Sequence, residues 1–277
     1  MDQVINNKGD TLFTIIYPNE GKETVILLHG GPGFPDELSD VVDILKNKYQ
    51  IITFHQRGTR KSPCTSGDFS MDAHVSDIEV IAACFGVERF HLFGHSWGGL
   101  YAQIYAQCHP ERLLSLFLCN PGSGTGAEWK QTEREVLRSN KSKCTLWEWA
   151  GMGMNSLLGL IGSDKAARRL FRQVMKNYNK GFTDHYDPVA AVRNLTAAAA
   201  NKTRMEIAEY PVLKTMPEPT FPITIVYGDK DIYGSSKEFV LMRYPTAKVI
   251  NIENCGHLPW LHNPVRFKEI LKEAYGS

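Results

Sequence analysis

The six residues Gly94-His95-Ser96-Trp97-Gly98-Gly99 constrain this 277-residue chain more than any other stretch. They follow FHLFGHS (90–96), a short apolar run that reads as a strand, and lead into LYAQIYAQ (100–107), which reads as a helix. A chain that passes from strand to helix this quickly must turn sharply at Ser96. Its neighbours two positions away must lack side chains for the turn to close. Such a turn pushes the serine hydroxyl out at the end of a sheet. It also points the unpaired N–H groups of a helix N-terminus at the same place.

The surrounding sequence repeats the rhythm. TLFTIIY (11–17), TVILLHG (24–30) and QIITFHQ (50–56) read as strands. DELSDVVDILKNK (36–48) carries Leu38, Val41, Val42 and Leu45 at helical spacing, and Ser70 is placed to cap a second helix over 71–85. RGTRKSPCTSG (57–67) is a loop by its composition and LLSLFLCN (113–120) a further strand. Alternating strands and helices predict an α/β fold, a mostly parallel sheet covered on both faces. Between about 121 and 215 strand character fades. AEWKQTEREVLRSN, LWEWAGMGMNSLLGLIG, DKAARRLFRQVMKNY and PVAAVRNLTAAAANKTRMEIAEY read there as helices. The rhythm resumes with FPITIVYG (221–228), SSKEFVLMRY (235–244), AKVINIE (247–253) and NPVRFKEILKEAY (263–275). The economical organisation is a core of residues 1–120 and 216–277, interrupted by a helical cap over 121–215.

Composition narrows the partners. Lys and Arg total 31 against 30 Asp and Glu, a net charge of +1, so no field of one sign invites nucleic acid or an anionic membrane. The opening MDQVINNKGD lacks a basic segment followed by an apolar one, and no apolar run approaches the roughly 20 residues that span a bilayer. A cytoplasmic protein is expected. The six cysteines form no CxxC pair and are expected to be free thiols, mostly buried.

A serine hydroxyl is a poor nucleophile until a base removes its proton. In a sheet of this order an acid and then a histidine should follow Ser96. His257, in NCGHLPW just after the final strand, fits the base, and two aspartates of VYGDKD, Asp229 and Asp231, compete as the acid. The loops that carry them fall at the strand C-terminal ends, where sites gather in open α/β sheets. His29-Gly30-Gly31-Pro32-Gly33, after the second strand, lets backbone N–H groups approach a substrate closely. One of these, that of Gly31, is expected to join the N–H of Trp97 around an oxyanion. His91 and His95 lie on a strand and its turn rather than on one helix face, and no HExxH is present, so no metal is expected. His55, His74, His109, His185 and His262 read as surface or structural residues. No organic cofactor is needed.

These motifs resemble the α/β-hydrolase superfamily over nearly the whole chain. More narrowly, HGGPG (29–33), FHQRGTRKS (54–62) and GHSWGG (94–99) resemble segments of the proline iminopeptidase family of serine aminopeptidases. The resemblance implies Asp231 as the acid of a Ser96–Asp231–His257 triad, with a small molecule or short peptide as substrate. It also implies acidic residues near the cap that hold a substrate amine. Glu148, in the Trp147-containing LWEW segment, and Glu206 are the candidates, with Glu209 behind them. The chain departs from the pattern at His55, Thr59-Arg60 and His95, and Ile232 stands where some members carry glutamate. Trp129, Trp147, Trp149, Phe171, Tyr178, Phe182 and Tyr186, with Met152, Met154 and Met175, are expected partly to wall a pocket and mostly to fill the cap.

Three activities fit these residues. The first is an aminopeptidase acting on short peptides. The second is a carboxylesterase or carbon–carbon bond hydrolase of small acids and esters. The third is a ligand-binding receptor that keeps the fold without turnover. A serine nucleophile argues against epoxide hydrolases and dehalogenases, which by family resemblance use aspartate on this scaffold.

Overall fold

Strands and helices alternate along the computed structural model, which describes residues 1–34, 38–182 and 187–276. The elements are β1 (Asp2–Asn7), β2 (Asp10–Tyr17), β3 (Thr24–Leu28), α1 (Ser39–Leu45), β4 (Gln50–Phe54), α2 (Met71–Cys84), β5 (Phe90–His95), α3 (Trp97–Cys108), β6 (Leu113–Cys119), α4 (Ala127–Lys143), α5 (Leu146–Leu160), α6 (Asp164–Asn179), α7 (Pro188–Ala191), α8 (Ala197–Glu209), β7 (Ile223–Gly228), α9 (Lys237–Arg243), β8 (Lys248–Ile252), α10 (Pro259–His262) and α11 (Pro264–Tyr275).

The strands form one sheet in the order β1-β2-β4-β3-β5-β6-β7-β8. The β1–β2 and β2–β4 pairs are antiparallel, and the pairs from β4 through β8 are parallel. β3 is buried at every position, as expected of a strand covered on both faces. Val75, Ile78 and Ile81 of α2, Leu100 and Ile104 of α3 and Val240 of α9 pack one face of the sheet. Val41, Val42 and Leu45 of α1, with Phe267, Ile270 and Leu271 of α11, pack the other. Ser70 caps α2 as its position predicts, its Oγ accepting from Ala73 N–H at 3.2 Å.

Two elements differ from the sequence reading. β1 carries no apolar alternation, because of its six residues only Ile5 and Asn7 face inward. It is defined by its hairpin with β2, closed at Lys8 (φ 52°) and Gly9 (φ 96°), the positive-φ pair that a tight hairpin turn needs. The helical stretch read from residue 188 onward is two helices. Asp187 caps α7 and Thr196 caps α8, so the intervening residues leave the helix. Residues 36 and 37 of the first helix reading, and His185 and Tyr186, lie outside the described residues.

All six cysteines are free, but only Cys119 and Cys255 are buried; Cys84 and Cys108 end their helices in solvent. Among the described residues no helix is long and apolar enough to cross a membrane. The parallel strands deliver the turns after β3, β5, β6, β7 and β8 to one edge of the sheet, and α4 to α8 all fall between β6 and β7 in the chain.

Candidate active site

β5 enters α3 through Ser96, whose backbone sits at φ 55°, ψ −119°. A non-glycine residue there carries strain of about 1–3 kcal/mol. Its surroundings hold it in place. The Ser96 N–H donates to Cys119 C=O at 3.1 Å, and its C=O accepts from Gly99, Leu100 and Gly122 at 3.0, 3.1 and 2.8 Å. A Cβ on Gly94 would press into the Gly98 carbonyl, and one on Gly98 into the Leu28 carbonyl. The two glycines that flank the serine in sequence are therefore needed where strand, turn and helix converge.

The Ser96 hydroxyl donates to His257 Nε2 at 2.9 Å, and His257 Nδ1–H donates to Asp231 Oδ1 at 2.7 Å. Serine, imidazole and carboxylate thus come together from three loops. The histidine and the aspartate side chains are 2% and 0% exposed. In this arrangement the imidazole can take the hydroxyl proton, while the carboxylate fixes its tautomer and stabilises the cation that forms. Asp229 points elsewhere: its Oδ1 accepts from Cys255 N–H at 2.9 Å, which ties the β7 turn to the loop that carries His257.

The two expected oxyanion donors flank the serine. Gly31 lines the pocket at Ser96, and Trp97 N–H belongs to the first turn of α3, where helical bonding leaves N–H groups unpaired. Gln56 braces both sides. Its Nε2 donates to His29 C=O at 3.0 Å, and its Oε1 accepts from Trp97 Nε1 at 2.7 Å. Burial holds the His29 imidazole down to about 3, so it is neutral, and its Nε2 accepts from Gln56 N–H at 3.2 Å.

Sequence reasoning missed several residues that the fold brings to the site. Tyr233, two positions beyond Asp231, donates its hydroxyl to Ser96 Oγ at 3.3 Å and packs edge-on against the His257 ring, 5.2 Å between centroids. Burial raises its pKa, so it remains a donor. Asn120, at the end of β6, donates from Nδ2 to Gly256 C=O (3.1 Å) and His257 C=O (3.0 Å) and accepts from Gly228 N–H at 2.9 Å. His95 Nε2–H also donates to His257 C=O, at 2.9 Å; burial keeps this ring neutral. Glu135 of α4 accepts from Gly234 N–H (2.7 Å) and Ser236 N–H (3.1 Å), tying the turn after Tyr233 to α4. A tyrosine two residues past the acid was visible in the sequence. The other contacts join residues too distant in the chain to leave a local signal.

A pocket of about 60 Å³ opens at Ser96. Gly30, Gly31, Phe34, His95, His257 and Leu258 line it from the core, and Phe171, Val174, Met175 and Tyr178 from α6. Phe171, Met175 and Tyr178 thus wall the pocket as expected of cap residues. Trp129 and Met152 are buried instead, and Phe182 stacks on His262. The three proposed substrate contacts are elsewhere. Trp147 is 88% exposed. Glu148 completes a capping box with Thr145 and pairs with Lys176 at 2.9 Å. The Thr145 N–H first, then Lys176, hold its carboxyl down to about 2. Glu206 sits half-exposed on α8 and, like the other two, is not among the described residues that line the pocket. Those lining residues include no carboxylate.

Residues 23–142 match the family model of the alpha/beta hydrolase fold, a span that holds Gly31, Ser96 and Trp97 and ends before Asp231 and His257. The chain is 37% identical over 105 residues to a proline iminopeptidase of Xylella fastidiosa (strain Temecula1 / ATCC 700964), covering 36% of this chain and 33% of that protein. It is 29% identical over 118 residues to epoxide hydrolase 4 of Mus musculus, covering 42% of this chain and 33% of that protein. These alignments span about one third of each relative's length. Among solved structures, the esterase EaEST from Exiguobacterium antarcticum superposes with a TM-score of 0.74 at 17% identity, covering 100% of both chains. The chain has the fold of this esterase, and residues 23–142 match the model of the alpha/beta hydrolase fold.

Proposed function

We propose that the chain is a serine hydrolase that transfers a short apolar acyl group from a small ester to Ser96 and then to water, with α4 to α8 forming a cap over the site. The observation that carries this reading is the continuous hydrogen-bonded line from Ser96 Oγ through His257 to Asp231. As Oγ attacks the carbonyl carbon, its proton passes to His257 Nε2, and the Gly31 and Trp97 N–H groups receive the oxyanion. Each such donor is worth about 2.7–4 kcal/mol in comparable sites. His257 returns the proton to the leaving alcohol. Water then attacks the acyl-enzyme with the same imidazole as base.

The pocket favours the ester over the aminopeptidase substrate. Its described lining is Phe, Val, Met, Leu, Tyr, His, Ser and Gly. Against these described lining residues a substrate ammonium would lose its water and meet no counter-ion. A cavity of about 60 Å³ at Ser96 suits a small acyl group. The aminopeptidase reading draws on the likeness to the Xylella fastidiosa iminopeptidase and on the HGGPG and GHSWGG segments.

A panel of p-nitrophenyl acetate and butyrate against prolyl- and alanyl-naphthylamide separates the readings. Turnover of the esters without the amides is expected, abolished in Ser96→Ala. Comparable kcat/KM on prolyl-naphthylamide would restore the aminopeptidase. Tight binding of an ester without turnover would favour a receptor.

A further inference from the structure

α5 presents its apolar side to solvent. Every exposed residue of this helix is apolar or glycine. Leu146, Trp147 and Ile161, just past its end, are 87%, 88% and 82% exposed, with Met154, Leu157 and Leu160 between them at 60%, 63% and 63%. At 3.6 residues per turn the exposed positions span an arc of about 160°. Solvated helices show the reverse arrangement, and a continuous apolar face of this kind marks an interaction surface.

The neighbouring helix says what would cover it. α6 runs back along α5: Gly159 near the end of one meets Ala167 near the start of the other, and Glu148 at the start of α5 meets Lys176 near the end of α6. Lys165, Arg169, Arg172 and Lys176 are all exposed and recur at intervals of four, three and four residues, one stripe of α6, with Lys180 exposed just past its end. Glu148 and Gly159 lie on the side of α5 turned away from its apolar face, so α6 packs behind that face, with its stripe about 8–10 Å further from whatever covers α5. Residues 146–180 hold six basic side chains against two acidic ones, and both acids are already paired, Glu148 with Lys176 and Asp164 with Arg168. Among the described residues no carboxylate pairs with Lys165, Arg169 or Arg172. A second copy of the chain would bring the same basic stripe and no spare carboxylate from this hairpin.

We infer that the α5–α6 hairpin docks on an anionic lipid surface, α5 entering the boundary between headgroups and acyl chains and the α6 stripe meeting the headgroup phosphates. An apolar face with a row of cations one helix behind it, at the level of the headgroups, is the combination that holds a helix pair in that layer. The near-neutral charge of the whole chain hides this local excess. α6 also supplies Phe171, Val174, Met175 and Tyr178 to the pocket, so docking would bring the pocket's outer wall to the lipid boundary.

The test is co-sedimentation of the full chain with vesicles of phosphatidylcholine containing phosphatidylserine, and with vesicles of phosphatidylcholine alone. Binding to the first only, weakened by salt, is expected. Trp147→Glu with Ile161→Glu should abolish it. Arg169→Glu with Arg172→Glu should weaken it about thirtyfold or more, at about 1 kcal/mol per basic residue lost. Unchanged melting temperatures show that the variants fold. Ser96→Ala should bind like the parent, which separates this inference from the catalytic one. Binding to neither vesicle, equal binding to both, or binding that the substitutions leave intact would overturn it. So would a dimer in solution that the Trp147 and Ile161 substitutions dissociate while vesicle binding is absent.

Discussion

Replacing Asn120 tests how the site is held together. The side chain is fully buried and fastens three segments: Gly228 at the end of β7, and Gly256 and His257 in the loop after β8. In Asn120→Ala the Gly228 N–H loses its partner. Gly256 C=O keeps only a 3.5 Å contact from the Cys255 thiol, while His257 C=O keeps His95 Nε2. Two buried groups left without good partners cost about 1–3 kcal/mol each. The backbone adds a second term. Asn120 sits at φ 41°, a left-handed conformation that asparagine tolerates and alanine adopts at about 1–2 kcal/mol. The expected loss is about 5 kcal/mol, a drop of roughly 10–20 °C in melting temperature for a domain of this size. Asn120→Gly removes the same hydrogen bonds and relieves the backbone, so it should be about 1 kcal/mol more stable than the alanine variant. Calorimetric melting of the three proteins measures both terms. Below the melting temperature kcat should fall more than KM rises, because the His257 loop is loosened and misplacing a base by about 1 Å costs on the order of 10²-fold. An alanine variant that melts within about 3 °C of the parent and turns over at the same rate would refute the role given to Asn120.

Tyr233→Phe should leave stability nearly unchanged and lower kcat about two- to tenfold, the worth of one ordinary hydrogen bond to Ser96 Oγ; an unchanged kcat would remove Tyr233 from the reaction. Acid should destabilise the fold before most carboxylates titrate. Burial holds His29 down to about 3 and His55 and His262 to about 4, and His74 and His95 well below their ordinary value. The unfolded chain takes up these protons near pH 6.5 while the folded one does not. Stability is therefore full above about pH 6.5 and falls as pH drops toward the folded values, by up to about 1.4 kcal/mol per pH unit for each histidine. Melting temperatures that stay level between about pH 7.5 and 5.5 would contradict this.

The parts of the site that were legible are those with a local signature. Gly94 and Gly98 declare the turn at Ser96 because a side chain at either would meet backbone, and Asp231 and His257 each follow a β-branched strand. β1 was not legible, since only Ile5 and Asn7 turn inward and pairing with β2 defines it. Asn120 and His257 are 137 residues apart, and nothing local to either announces their bond. Trp147 misled: an aromatic residue in the helical stretch between β6 and β7 suggested a pocket wall, but α5 turns that residue to solvent. The role of Glu148 was legible after all. Thr145-Leu146-Trp147-Glu148 is the Thr-x-x-Glu pattern of a capping box, a local use for the carboxylate.

In the proposed reaction Ser96 is a nucleophile made reactive by His257. Fluorophosphonate labelling followed by intact-mass and peptide analysis measures this directly. One adduct per chain is expected, on Ser96, absent in Ser96→Ala and formed far more slowly in His257→Ala. A folded parent protein that takes up no label, or takes it up elsewhere, would contradict it.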